Sequence, residues 1–206
     1  MRDRGTIQAC CGKIHIMVLL LAVIVGAAFG GADQYLGSLS AIAWGADVSL
    51  LSAPWLLLPF VFGCTQQRAR RAVAIGCMAT ASALIGYFVM TLSPLEGVHL
   101  NGSMAPILNL LRSESIVIVG GVMTAPLYGY LGYCWRTSRA WLSAFFVGSA
   151  FSLEPLARAA VGRLPQLTDV WVIEMGVGFI IGGYLIWTGS FFRIHKRQEF
   201  TGELLT

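Results

Sequence analysis

The sequence predicts an all-α fold, a polytopic membrane protein of six transmembrane helices in a single domain with N- and C-termini in the cytoplasm. Composition is the first reason: 56% of the 206 residues are hydrophobic and only 12% are charged, whereas soluble domains carry about a quarter charged residues. A water-soluble fold of this size could not hide so much apolar surface. Second, apolar runs recur at 14–32, 48–66, 72–93, 115–134, 140–157 and 170–192, each close to the roughly 20 residues that a membrane-crossing helix needs. Third, eleven of the fourteen Lys and Arg residues fall at alternating ends of these runs. Arg2, Arg4 and Lys13 precede the first, Arg68, Arg70 and Arg71 follow the second, Arg136 and Arg139 the fourth, and Arg193, Lys196 and Arg197 the sixth. Positive charge marks the cytoplasmic side.

The net charge of +4 is spent on these topology signals and forms no patch interleaved with aromatics, so nucleic-acid binding is excluded as a function class. Cys10, Cys11, Cys64, Cys77 and Cys134 all map to the inner side, which argues against disulfides. With His195 they show no metal-ligand spacing. No metal and no cofactor is implied. Twelve Arg against two Lys suggest a GC-rich bacterial genome and hence a bacterial cytoplasmic (inner) membrane.

The first span carries Ala22, Gly26 and Gly30 at steps of four, a small-residue seam that lets another helix approach closely and could seat a membrane-protein partner. Its basic start and Gly30-Gly31-Ala32 also fit a signal peptide cleaved after Ala32, but the apolar stretch is long for one, and a retained span is preferred. The connection 33–47 could form a short helix in the outer interface. Pro54 and Pro59 bend the second span. The third span, rich in Ala, Ser, Thr and Gly, should pack centrally and stop at Pro94. The longest loop follows, with a glycosylation-type Asn101-Gly102-Ser103 that is silent in a bacterial inner membrane. Pro126 bends the fourth span, and Tyr128, Tyr130, Tyr133 and Trp135 near its end suggest an inner aromatic belt. Ala140, Ala144, Gly148 and Ser152 in the fifth span, and Gly178 and Gly182 in the sixth, make two further seams.

The acidic residues gather on the outer side. Asp33 ends the first span, Asp47 opens the second, and Glu174 lies about one turn inside the sixth. Glu154 is the deepest, roughly 20 Å from the inner start of the fifth span at 1.5 Å per residue. Ionisable groups at such depth are costly and usually face a partner or a polar cavity. Arg158, four residues on, can pair with Glu154, and Pro155 between them would bend the helix. Asp33, Asp47 and Asp169 read as helix-end residues in headgroup water.

Glu154, Arg158, Asp47 and Glu174, with Trp55 and Tyr87 among the aromatic lining beside Trp44 and Trp171, therefore suggest an outward-facing polar pocket. His99, Arg112 and Glu114 could fold over it from the long loop. Carboxylates outnumber bases there, which suits a small amphiphilic or cationic ligand. Glu154 and Asp47 are also the candidates for general acid in an intramembrane enzyme acting on a lipid or prenyl substrate. No phosphate loop, H-E-x-x-H or G-x-S-x-G motif is present. The Glu154–Arg158 segment fits half of the CAAX-protease motif, but Leu153 stands where the preceding Glu belongs and no His follows in a later span.

Ser52-Ala53-Pro54-Trp55, Gly63, Gly86-Tyr87, the run from Pro126 into Trp135-Arg136, and Glu154 together resemble a family of small actinobacterial six-helix membrane proteins known as a domain of unknown function. In size and topology the chain is also similar to the substrate-binding subunits of energy-coupling-factor transporters. Those resemblances imply a six-helix fold and, for the second, an outward-facing pocket. They carry over no functional residue. Three functions stay open, in this order: a solute-binding, transport-associated subunit; a packing-based immunity or assembly factor; and an intramembrane acid/base enzyme resembling small terpene cyclases.

Overall fold

In the computed structural model, which describes residues 4–39, 42, 44–94, 104–160 and 168–203, every regular element is an α-helix. In chain order these are α1 (Arg4–Ser38), α2 (Gly45–Ser49), α3 (Ala53–Cys64), α4 (Ala69–Thr91), α5 (Ala105–Ser113), α6 (Ser115–Ser138), α7 (Trp141–Ala160) and α8 (Thr168–Glu203). Among the described residues, four stretches are long and apolar enough to cross a membrane: Ile16–Ser38, Ala69–Thr91, Ser115–Ser138 and Asp169–Gly189. The chain is therefore an all-helical protein with the character of a membrane protein.

Two of the six predicted spans depart from that standard for identifiable reasons. The second, 48–66, is divided between α2 and α3, and the 12 residues of α3 give a helix of only about 18 Å. Pro54 stands at the start of α3 and so begins a helix where a bend within one was predicted. Proline is well suited to the first turn, where no intrahelical partner exists for its missing N–H. The fifth, α7, has 20 residues, but Glu154 and Arg158 lower its apolar character.

Other boundaries move less. The first span does not end at Ala32, because nothing in Gly30-Gly31-Ala32-Asp33 supplies a stop; the helix continues to Ser38. Within the long loop, α5 forms an amphipathic helix of about two and a half turns against α6, with Leu108 and Leu111 and the preceding Met104 exposed. Asn101 and His99 lie outside the described residues. At the other end of α6, Arg139 adopts a left-handed conformation (φ 48°) and donates its N–H to the Trp135 carbonyl at 3.0 Å. The guanidinium then lies 5.2 Å over the Trp135 ring, and α7 starts two residues later.

Packing is inside-out relative to a soluble bundle. Small residues fill the contacts, while Ile16, Met17, Ile116, Met123, Phe179 and Ile180 point outward, as expected where lipid replaces water. The predicted Ala22, Gly26, Gly30 seam is covered by α4 of the same chain. A Cβ on Gly30 would collide with the Ala83 carbonyl, and one on Gly26 with the Ala79 carbonyl. The seam thus packs against α4 within the chain. The α7 and α8 seams likewise meet each other, with Gly148 against Gly182.

The arrangement places α4 centrally, against α1, α3 and α6, as its small-residue composition predicts. The α7–α8 pair joins this group through α3 and α6. Ala53, Phe60, Tyr128, Trp135, Val147, Phe151 and Leu185 form the shared core. Tyr128 and Trp135 are buried in that core and do not form an interfacial belt; Tyr130 does face outward.

Candidate functional site: a clasped helix break

The polypeptide turns between α2 and α3 at Leu50–Ser52, and a helix that begins there presents backbone N–H groups with no partner of their own. Ser52 does not cap α3 with its side chain. The cap comes from α7 instead. Glu154 accepts the Ser52 N–H on Oε1 and the Ala53 N–H on Oε2, both at 2.7 Å. A carboxylate at a helix N-terminus also matches the positive end of the helix dipole.

Arg158 completes the clasp from one turn further along α7. Its Nε and Nη2 donate to Glu154 Oε1 at 3.0 and 2.7 Å. Nη2 also donates to Ser52 Oγ at 3.1 Å and to the Leu50 carbonyl, the last acceptor before the break. The predicted i,i+4 ion pair is present, with its two side chains only 23% and 9% exposed. One carboxylate and one guanidinium thereby satisfy both sides of the chain break.

Glu174 adds a second carboxyl from α8. It is 3% exposed, faces Glu154 and lies within electrostatic reach of Arg158. Neither of its oxygens accepts a hydrogen bond from a described group. One turn earlier on the same face, Trp171 is also buried, and its indole Nε1 likewise has no partner among the described residues. Arg158 lies 5.6 Å over the Trp171 ring. Leu51, Val170 and Trp171, with Val48 packed on them, form an apolar collar beside these polar groups. Buried polar groups left unpaired are rare and costly.

Five of the six predicted site residues divide into two sets. Glu154, Arg158 and Glu174 come together at the break. Trp55 and Tyr87 lie where α3 meets α1 and α4: the Trp55 indole donates to Asp33 Oδ2 at 3.3 Å, and its ring packs edge-on against Phe29 (5.4 Å) and Tyr87 (6.1 Å). Asp33, read from sequence as a span end in headgroup water, lies inside the last turns of α1 with an indole partner. Asp47 is likewise not a solvated helix end but is buried in α2, at 5% exposure. Asp169 is exposed, as predicted. Arg112 is exposed at the end of α5.

A second clasp escaped the sequence reading. Arg136, placed there only as an inner-side charge, donates through Nη1 to the Cys64 and Thr65 carbonyls at the C-terminal end of α3. Helix-end carbonyls want such a donor, but the chain separation of the partners hides the pairing from any local pattern. Cys64, Cys77 and Cys134 are free, partly buried thiols, and no group of three metal-ligating side chains occurs among the described residues.

No protein-family model, curated protein or solved structure matches the chain.

Proposed function

We propose that this chain is a multi-pass protein of a bacterial cytoplasmic membrane that receives a small solute at the outward-facing cluster of Glu154, Arg158 and Glu174, as a transport-associated binding subunit. In this reading α2 and α3 together make the second of six passes, α7 the fifth, and both termini are cytoplasmic. The pairing of helix ends supports the alternation: the start of α3 meets the second half of α7, and its end meets the end of α6. A helix broken within a membrane protein is tolerated where other groups satisfy its backbone, and such breaks recur at solute sites.

The observation that carries the proposal is the Glu174 carboxyl, buried against Glu154 with neither oxygen accepting a hydrogen bond from the other described groups, beside an ion pair that is already complete. Glu154, by contrast, accepts two backbone N–H groups and the guanidinium. That makes it a fastening for two helices and a poor proton donor to a lipid or prenyl alkene, which weakens the acid/base enzyme as the alternative. The test is thermal unfolding of the full chain in nanodiscs against cationic, zwitterionic and neutral small solutes. Saturable stabilisation that disappears in Glu174→Gln supports the reading. A panel with no stabilising solute, or stabilisation that Glu174→Gln leaves unchanged, refutes it.

A further inference from the structure

Five arginines gather at the end of α3 that lies away from the Glu154 clasp. Arg68, Arg70 and Arg71 open α4, Arg136 lies in the last turn of α6, and Arg139 closes that helix. Packing brings these segments together. A Cβ on Gly132 would strike the Phe60 carbonyl and one on Gly129 the Ala72 carbonyl, so the second half of α6 lies in backbone contact with both α3 and α4. Arg136 donates to the Cys64 and Thr65 carbonyls, and Arg136 and Arg139 both lie within electrostatic reach of Cys64. Arg68 follows Cys64 by only four residues, across the turn into α4.

The charge at this end is one-sided. Segments 48–95 and 115–153 hold these five arginines and not one Asp or Glu. Arg70 and Arg71 also stand in the first turn of α4, where the positive end of the helix dipole disfavours a cation and no acidic residue offsets it. Charge that only orients the chain works from anywhere within about 15–20 residues of a span end, so orientation does not account for that position. An anion beside the first turn relieves both the mutual repulsion and the clash with the dipole. The chain around Arg136 and Arg139 also carries exposed aromatic rings, Tyr130 on one side and Trp141 on the other, of the kind that collect where hydrocarbon meets headgroups.

We infer that the surface formed by the α3–α4 turn and the end of α6 binds the headgroup phosphate of an anionic phospholipid. The inference rests on the membrane placement proposed above and not on the solute. Arg136 is held in position by its two carbonyl acceptors, and Arg68 and Arg70 bring exposed guanidinium groups from the neighbouring turn. A guanidinium donates two parallel N–H bonds to phosphate oxygens. A zwitterionic lipid brings an ammonium group of its own, which the arginines repel.

The test titrates phosphatidylglycerol and phosphatidylcholine separately into detergent micelles of the full chain and reads bound lipid by native mass spectrometry. Micelles have no sides, so the part that arginines play in orienting the chain during insertion does not enter. Phosphatidylglycerol is expected to bind at least about 25-fold more tightly, because each arginine near an anionic surface is worth about fivefold and at least two face one headgroup. Arg68→Gln/Arg70→Gln is expected to reduce that preference by at least about fivefold. Arg68→Lys/Arg70→Lys keeps the charge and is expected to keep the preference, which guards against a folding defect in the first variant. Arg112→Gln removes a charge from α5, before the opposite end of α6, and is expected to change nothing. Equal binding of the two lipids, or a loss in Arg112→Gln as large as in Arg68→Gln/Arg70→Gln, overturns the inference. Displacement of phosphatidylglycerol by inorganic phosphate at equal concentration makes the occupant a free anion and overturns the lipid. Each of these outcomes leaves the Glu174 site standing, and an empty solute panel leaves the lipid surface standing.

Discussion

Glu154 and Arg136 hold opposite ends of one short helix, each with the charge that its end requires. Glu154 reaches from α7 to the N–H groups of Ser52 and Ala53, and Arg136 reaches from α6 to the carbonyls of Cys64 and Thr65. A helix of 12 residues is marginal alone, and this one lies between two partners that complement its dipole. The end clasps therefore fix where α3 begins and stops. They also fix its position relative to the α7–α8 pair, which carries Glu174.

Removing the carboxylate should leave two backbone donors and one guanidinium without their acceptor. Glu154→Leu is expected to destabilise the protein by about 2–4 kcal/mol, somewhat below the range for a fully buried pair because Arg158 keeps some water. Equilibrium unfolding in mixed micelles measures this. A change below about 0.5 kcal/mol, within ordinary surface scatter, would mean that the clasp contributes nothing.

The clasp at the other end should be the weaker of the two. Arg136 is exposed at its tip and meets neutral carbonyls, so Arg136→Gln is expected to cost about 0.5–1 kcal/mol. Its unfolding curve should shift less than that of Glu154→Leu under the same conditions. A larger shift for Arg136→Gln would contradict the ranking by burial.

Much of the helix content was legible in the sequence because it follows from hydropathy over long windows. Glu154 and Arg158 could be paired from spacing alone, since i,i+4 neighbours on one helix meet whatever surrounds them. The break between α2 and α3 could not be located the same way. Pro54 reads as a bend within one span, and what makes it a beginning is a carboxylate that reaches Ser52 from 102 positions away in the chain. Asp33 was misread for a related reason. Its burial depends on the Trp55 indole arriving from α3, which no property of α1 announces. The seams were visible as spacing, but whether a seam faces α4 or another protein is a question of tertiary packing.

Glu174 should respond to substitution in the opposite sense to Glu154. Its carboxyl is buried against the like-charged Glu154 and accepts no hydrogen bond from the other described groups, so replacement by an apolar side chain of similar length removes a desolvation cost and a carboxyl–carboxyl repulsion. Glu174→Met is expected to leave stability unchanged or to raise it by about 1–4 kcal/mol when no solute is present. Thermal scans of the two variants side by side give the comparison. Destabilisation of Glu174→Met comparable with Glu154→Leu would show that the carboxyl has a structural partner and is not held for a ligand.

Two glycines in apolar helices separate packing from composition. A Cβ on Gly30 would strike the Ala83 backbone, which cannot swing aside as a side chain can, whereas one on Gly120 meets nothing within 4 Å. Gly30→Leu is therefore expected to cost at least about 1–3 kcal/mol, the range for overpacking a filled contact, and to push α1 away from α4. Gly120→Leu faces outward from α6 and should be neutral, or stabilising by up to about 1 kcal/mol through helix propensity. The spacing between α1 and α4 can be followed directly by spin labels at Ile24 and Ile85, both exposed on their helices. An unchanged label distance and unchanged stability in Gly30→Leu would mean that the α1–α4 contact is not the tight one described; widening without a change in Gly120→Leu is the expected pattern.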